Sequence, residues 1–100
     1  MPDPRPDAAP EHEARLALTP ADFIRSLQAE EKLVLRLRDE LYEASWERME
    51  RDLRSRLAGK PYIFKLVHRI ETDLALIAFL RAYEARHGVD LGALRLGDVR

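Results

Sequence analysis

Two pairs of residues have the spacing of metal ligands in helical bundles. Glu84 and His87 form a Glu-x-x-His motif, and His68 and Glu71 form the same motif in reverse order. Di-iron carboxylate bundles combine this motif with inward-facing glutamates from other helices. Here His68 and Glu71 lie off the apolar face of their predicted helix, and His87 falls at a helix end. A metal-binding helical bundle is therefore kept only as a third functional hypothesis, and we predict no metal site and no cofactor.

Positive charge is concentrated between Arg48 and Arg69, where seven basic residues face only Glu50 and Asp52, a formal charge of +5 with His68 neutral. Basic groups beside aromatic rings suit contacts with a phosphate backbone and with stacked bases. An acidic patch on a partner protein would use the same surface. The candidates for charge recognition are Arg48, Lys60, Tyr62, Lys65 and Arg69.

A simpler interpretation of the basic stretch remains open. Arg51, Arg54 and Arg56 each follow an acidic residue by four positions, the spacing of surface ion pairs along a helix. Tyr62 and Phe64 can equally close a core beneath a turn. Nucleic-acid binding is therefore the second hypothesis.

Residues for nucleophilic catalysis are scarce in this sequence. It contains no Cys, its serines are Ser26, Ser45 and Ser55, and no Gly-rich loop is present to hold a phosphate. A nucleophile requires an adjacent base or a lowered pKa, and no such pairing is evident. We predict that the protein is not an enzyme.

The elements that position these residues are helices, arranged around Gly59 and Pro61. Gly is favoured just after a helix and Pro at the first position of the next, so we predict a turn at 59–61 between two long helices. The first long helix is predicted from Glu30 to Ala58, with the apolar face Leu35, Tyr42, Trp46, Met49, Leu53 and Leu57. The second runs from Pro61 to His87, with Ile63, Leu66, Val67, Ile70, Leu74 and Ile77 on one side.

Local signals also mark shorter elements. Thr19 and Pro20 predict the start of a short N-terminal helix, with Asp22 placed favourably for the helix dipole. The apolar pattern lapses around Ser26–Glu31, where a kink or a restart is predicted. Gly88 predicts the end of the last helix.

Several apolar residues remain after the two main faces are paired, and they fall at the end of the hairpin opposite Gly59. These candidate self-association residues are Leu33, Leu37, Leu41, Leu76, Phe79, Leu80 and Tyr83. Either the helix with Phe23, Ile24 and Leu27 covers them together with the C-terminal tail, or a second copy does. We favour the second copy. We predict an all-α fold, an antiparallel helical hairpin with a short N-terminal helix that dimerises into a four-helix bundle.

Composition limits the remaining alternatives. The 100 residues suggest one domain, divided into a flexible Pro-rich lead at 1–18, the hairpin at 19–88, and a tail or short helix at 89–100. The 17 basic and 18 acidic residues nearly balance, so whole-chain charge favours neither nucleic acid nor a membrane. No signal-peptide or membrane-length apolar run is present, and we predict a cytoplasmic location. The first hypothesis for function is a non-catalytic protein-interaction module, an adaptor or structural subunit.

Overall fold

The computed structural model of the chain describes residues 8–59 and 63–94, and these residues form five helices without a strand. The helices are α1 (Ala8–Leu16), α2 (Pro20–Ser26), α3 (Ala29–Leu41), α4 (Trp46–Ala58) and α5 (Phe64–His87). Helices α3 and α4 both pack against α5, and α1 packs against α2 and α5. The predicted all-α class is confirmed.

The start of α2 follows from its cap. Thr19 has extended backbone angles, and its hydroxyl accepts a hydrogen bond from the Asp22 N–H at 3.3 Å, with Pro20 at the first helical position. The chain leaves helical geometry at Leu27 and resumes it at Ala29, where the Glu31 carboxylate accepts the Gln28 N–H at 2.8 Å. The predicted restart near Ser26–Glu31 is therefore confirmed.

The predicted continuous helix from Glu30 to Ala58 is wrong, because the chain turns between α3 and α4. Glu43 and Ala44 have φ angles of 53° and 63°, in the left-handed region. Ser45 then caps α4 by accepting the Arg48 N–H at 3.3 Å. The turn divides these residues into two helices, and both pack against α5.

The two glycines at helix ends behave differently. Gly88 adopts φ 64°, and the N–H groups of Gly88 and Val89 both donate to the Glu84 carbonyl oxygen, as expected for a left-handed C-cap. Gly59 follows α4 at the predicted position, but its φ of −69° is not left-handed. Lys60, Pro61 and Tyr62 lie outside the described residues, and so does most of the predicted turn at 59–61.

The core lies where α2, α4, α5 and the segment after α5 meet. Phe23, Ile77, Leu80 and Tyr83 have no exposed surface. The Phe23 and Tyr83 rings are stacked with centroids 3.7 Å apart. The other buried hydrophobic residues are Ile24, Leu27, Val34, Trp46, Met49, Leu53, Ile70 and Leu91.

The structure differs from the predicted flexible lead at 1–18. Ala8–Leu16 is helical, and Leu16 and Leu18 pack against the core. The prediction rests on a composition rich in Pro, Asp and Ala and on the lack of a sustained apolar period, whereas the helix is held by contacts with residues farther along the chain. In the predicted tail, residues 89–94 contain no helix and form a turn at 91–93, and residues 95–100 lie outside the described part. No helix among the described residues is both long and apolar enough to cross a membrane.

Candidate interaction surfaces

Three large apolar side chains at the start of α5 are exposed to solvent. Phe64 is 82% exposed, Ile63 64% and Leu66 44%. The apolar face predicted for this helix becomes buried only from Ile70 onward, at 2% exposure. Ile63 and Leu66 are three positions apart and lie on the same side of the start of α5, whereas Phe64 and Leu66 are two positions apart and do not face each other. Exposed apolar residues concentrated in one region of a surface often mark an interaction site. We call Ile63, Phe64 and Leu66 the tip patch.

Positive charge lies beside the tip patch. Lys65 is exposed and has no ion-pair partner within residues 8–59 and 63–94. Arg69 lies one turn farther along and contacts Asp73 at 3.5 Å between Nε and Oδ1. Burial raises the pKa of the Asp73 carboxyl, although the Arg69 cation acts against that shift. Residues 63–70 contain no carboxylate, so the first two turns of α5 carry only basic charge.

The structure does not gather all the predicted charge-recognition residues. Lys65 and Arg69 share the start of α5, whereas Lys60 and Tyr62 lie outside the described residues. Arg48 is in the first turn of α4, ten residues before Ala58 and hence about 15 Å along the helix. Its guanidinium contacts Glu43 at 3.7 Å. Arg48 therefore belongs to a different region from Lys65.

The predicted self-association residues are mostly enclosed within one chain. Leu80 and Tyr83 have no exposed surface, while Leu76 and Phe79, like Leu33 and Leu37, are partly buried. Only Leu41, at 63%, remains exposed. The surplus apolar surface that suggested a second copy is thus largely covered by the chain's own helices.

Helix α1, helix α2 and the segment between them cover Phe79 and Tyr83. The Phe79 ring lies 5.0 Å from the His12 ring and 5.6 Å from the Phe23 ring, measured between centroids. The Tyr83 hydroxyl donates to the Leu18 carbonyl at 2.8 Å. Because the sequence predicts no structure in the lead, it gives no sign that α1 covers Phe79 and Tyr83.

One local signal could have located this cover. Leu18 precedes the Thr19 cap and Phe23 lies at the fourth helical position, the spacing of a hydrophobic staple that fixes how the chain enters a helix. The staple implies that the segment before Thr19 is held against α2. The capping signal was recognised in the sequence, but the apolar residue before it was not used.

The residues of the Glu84–His87 motif have other roles, and His68 and Glu71 of the reversed motif are both exposed. The Glu84 carboxylate accepts hydrogen bonds from Trp46 Nε1 at 2.6 Å, Arg38 Nη1 at 3.0 Å and the Leu91 N–H at 2.9 Å. His87 contacts the Leu16 carbonyl oxygen through Nε2 at 2.6 Å. Within the part of the chain that the structure describes, no three His, Cys, Asp or Glu side chains are grouped to hold a metal ion.

A buried arginine that sequence reasoning missed organises the opposite end of α5. Arg38 is 2% exposed, and its Nη2 donates to Asp90 at 2.7 Å while Nη1 donates to Glu84. Its guanidinium carbon lies 4.6 Å from the centre of the Trp46 ring. We call Arg38, Trp46, Glu84 and Asp90 the Arg38 cluster. Arg38 and Glu84 are 46 positions apart, so no local pattern indicates their pairing.

Comparison with known proteins adds no family to this description. No family model, no curated protein and no solved structure matches the chain.

Proposed function

We propose that this protein is a non-catalytic helical interaction module that binds a partner protein through the tip patch. The exposure of Phe64 is the observation that carries the proposal, because 82% of a large aromatic side chain lies in water at the start of α5, where Ile63 and Leu66 are exposed as well. Aromatic anchors of this kind contribute much of the binding energy of protein interfaces. A function as adaptor or structural subunit follows from this surface.

The charge around the patch favours a particular partner chemistry. Lys65 and Arg69 accompany the apolar side chains, and residues 63–70 contain no acid. For its electrostatic potential to complement this surface, a partner must present apolar side chains with carboxylates around them. An amphipathic, acidic helix has this pattern. A second copy would instead bring like charges together across a two-fold axis, which disfavours pairing through this patch.

The packing of the long helices supports the display of this surface. Arg81 forms ion pairs with Glu47 and Glu50 at the start of α4, and α5 follows α4 after a short connection. These contacts support an antiparallel pairing of α4 and α5, the hairpin arrangement. In that arrangement the start of α5 is at the end of the pair, where a partner has free access.

A binding measurement with a synthetic partner tests the proposal. The probe is a fluorescent helical peptide with leucines along one face and glutamates along the other, titrated with the full chain by fluorescence anisotropy. We expect Phe64→Ser to weaken binding by at least about tenfold, since an anchor side chain is lost. Lys65→Glu should also weaken binding and reduce its dependence on salt.

Leu41→Ser is the matched control, because Leu41 is similarly exposed but lies at the end of α3. It should leave the affinity unchanged. Equal binding by the wild type, Phe64→Ser and Leu41→Ser would contradict the proposal. Sedimentation of the protein without peptide provides the second test, because a dimer lost in Phe64→Ser would assign the patch to a second copy.

A further inference from the structure

An apolar groove lies between α2, α3 and the segment after α5, away from the residues of the tip patch. Its volume is about 340 Å³. Ile24, Leu27 and Leu91 form a buried apolar floor, and the partly buried Leu35 and Leu94 line the sides. Small-ligand sites in proteins are mostly apolar concavities of about 300 Å³ or more with a few polar groups. The groove has the composition of such a site at the lower limit of size.

The wall formed by residues 91–94 is fixed by the Arg38 cluster. Asp90 accepts hydrogen bonds from Arg38 and from the Gly92 N–H, the latter at 2.9 Å, and the Leu91 N–H donates to Glu84. A Cβ atom at Gly92 would lie 1.5 Å from Arg38 Nη2, so the segment packs closely against the arginine. The groove is therefore formed before any ligand arrives, which lowers the cost of binding.

Two exposed cations lie on the rim of the groove. Lys32 and Arg36 are four residues apart, on the same face of α3, and both are exposed. Neither forms an ion pair within the residues that the structure describes. Among the residues that the structure describes, Asp39 is the only carboxylate that lines the groove. Two positive charges and one negative charge leave a net charge of +1 beside the apolar floor.

We propose that this groove binds a small apolar monocarboxylate, with its hydrocarbon part on the leucine floor and its carboxylate between Lys32 and Arg36. The net charge of +1 matches one negative charge, so a monoanion suits the site better than a doubly charged phosphate. The volume equals that of roughly eleven water molecules at about 30 Å³ each, which accommodates one ring or a short alkyl chain. Guanidinium and ammonium groups both form strong, charge-assisted hydrogen bonds with carboxylates.

An NMR titration of the full chain with sodium hexanoate tests the site. We expect saturable shifts of backbone amide signals confined to α2, α3 and residues 91–94. Hexanamide, which has the same chain but no charge, should bind at least about tenfold more weakly, because it lacks the carboxylate.

The double variant Lys32→Gln with Arg36→Gln should also lose at least about tenfold in hexanoate affinity, and both positions are exposed, so folding is preserved. Arg51→Gln, at another exposed arginine without an ion pair among the described residues, is the matched control and should bind as the wild type does. Equal affinity for hexanamide, or unchanged binding by the double variant, would overturn the proposal. Shifts of the same signals on raising protein concentration alone would assign the groove to a second copy and would overturn it as well.

Discussion

At the scale of single residues, Arg38 makes the contacts that connect three parts of this fold. Its charge is buried and is matched by Glu84 and Asp90, while its Nε atom has no hydrogen-bond partner among the residues that the structure describes. Burial alone would raise the pKa of Asp90, but hydrogen bonds from Arg38 and from the Gly92 N–H outweigh it and hold that pKa below its usual range. The arginine thus joins α3, α5 and the segment after α5.

Replacing Arg38 by Met tests this role. The substitution keeps much of the side-chain volume but leaves the Glu84 carboxylate buried without its cation, so we expect a loss of about 3–5 kcal/mol in the free energy of unfolding. Urea denaturation followed by circular dichroism measures the loss. Arg51→Met, at an exposed position, should change stability by less than about 0.5 kcal/mol. Similar small effects for both variants would show that the Arg38 cluster does not hold the fold.

At the scale of elements, the turn between α3 and α4 decides how the first half of the chain packs. Glu43 and Ala44 are in the left-handed region, which costs a residue other than Gly about 1–2 kcal/mol. The Tyr42 hydroxyl donates to Asp52 at 2.7 Å and ties the end of α3 to α4, and this hydrogen bond raises the pKa of Tyr42. The turn is therefore held by contacts on both sides of it.

The substitution Ala44→Gly distinguishes a turn from a continuous helix, because it should change the stability of the protein in opposite directions in the two cases. In the left-handed turn, Gly relieves strain and should stabilise the protein by about 0.5–1 kcal/mol. In a continuous helix, the same change would destabilise by about 1 kcal/mol. The melting temperature, measured by thermal unfolding, shows whether the variant is more or less stable than the wild type. Ala75→Gly, at an exposed position inside α5, is the control and should destabilise.

The attachment of α1 depends on a second ion pair. Arg15 contacts the Glu31 carboxylate through both Nη atoms, at 2.9 and 2.8 Å. Burial would raise the pKa of Glu31, but the hydrogen bonds from Arg15 and from the Gln28 N–H outweigh it and lower that pKa. The same interaction raises the pKa of Arg15. A lowered carboxyl pKa means that the ionised form is stabilised by folding.

This pair predicts a pH dependence. The stabilisation from Glu31 is complete above the unfolded pKa of about 4.3 and is lost as pH falls through the lower folded value. Glu31→Gln should therefore cost about 1 kcal/mol at neutral pH and make the free energy of unfolding less sensitive to pH below about 4.3. Glu30→Gln, at the exposed neighbouring position, should keep the wild-type profile. Identical pH profiles for wild type and Glu31→Gln would exclude this role.

At the scale of the whole molecule, the chain covers one apolar end and leaves another in water. Phe79 and Tyr83, two of the seven residues that suggested self-association, lie against α1 and α2 of the same chain. Burial and the negative charge of Asp22 raise the pKa of the enclosed Tyr83 hydroxyl. The tip patch has no such cover among the described residues, and it is where we propose that a partner binds.

Tyr83→Phe tests whether the aromatic end is closed within one chain. Removing the hydroxyl deletes its hydrogen bond to the Leu18 carbonyl, so we expect a loss of about 1 kcal/mol in the free energy of unfolding. For a surface closed within one chain, this loss should be the same over about a hundredfold range of protein concentration. A loss that changes with concentration would instead place Tyr83 in an interface between copies.

The sequence by itself determined the helical class and several helix boundaries. Thr19, Pro20 and Gly88 act on backbone groups within one turn of themselves, so their effects can be read from neighbouring residues. The apolar spacing likewise identified Trp46, Met49 and Ile70 as core residues. It also drew attention to the start of α5, through the aromatic and basic residues near Gly59.

Only the tertiary structure decided how these elements combine. The pairing of Arg38 with Glu84 and the contact of Tyr83 with Leu18 join residues 46 and 65 positions apart. The strained turn at Ala44 is tolerated because packing on both sides outweighs its local cost. The sequence also does not show that Phe64 is exposed, because an apolar residue gives the same helical pattern whether or not a neighbouring element covers it. Long-range packing, rather than periodicity, determines which apolar face is left for a partner.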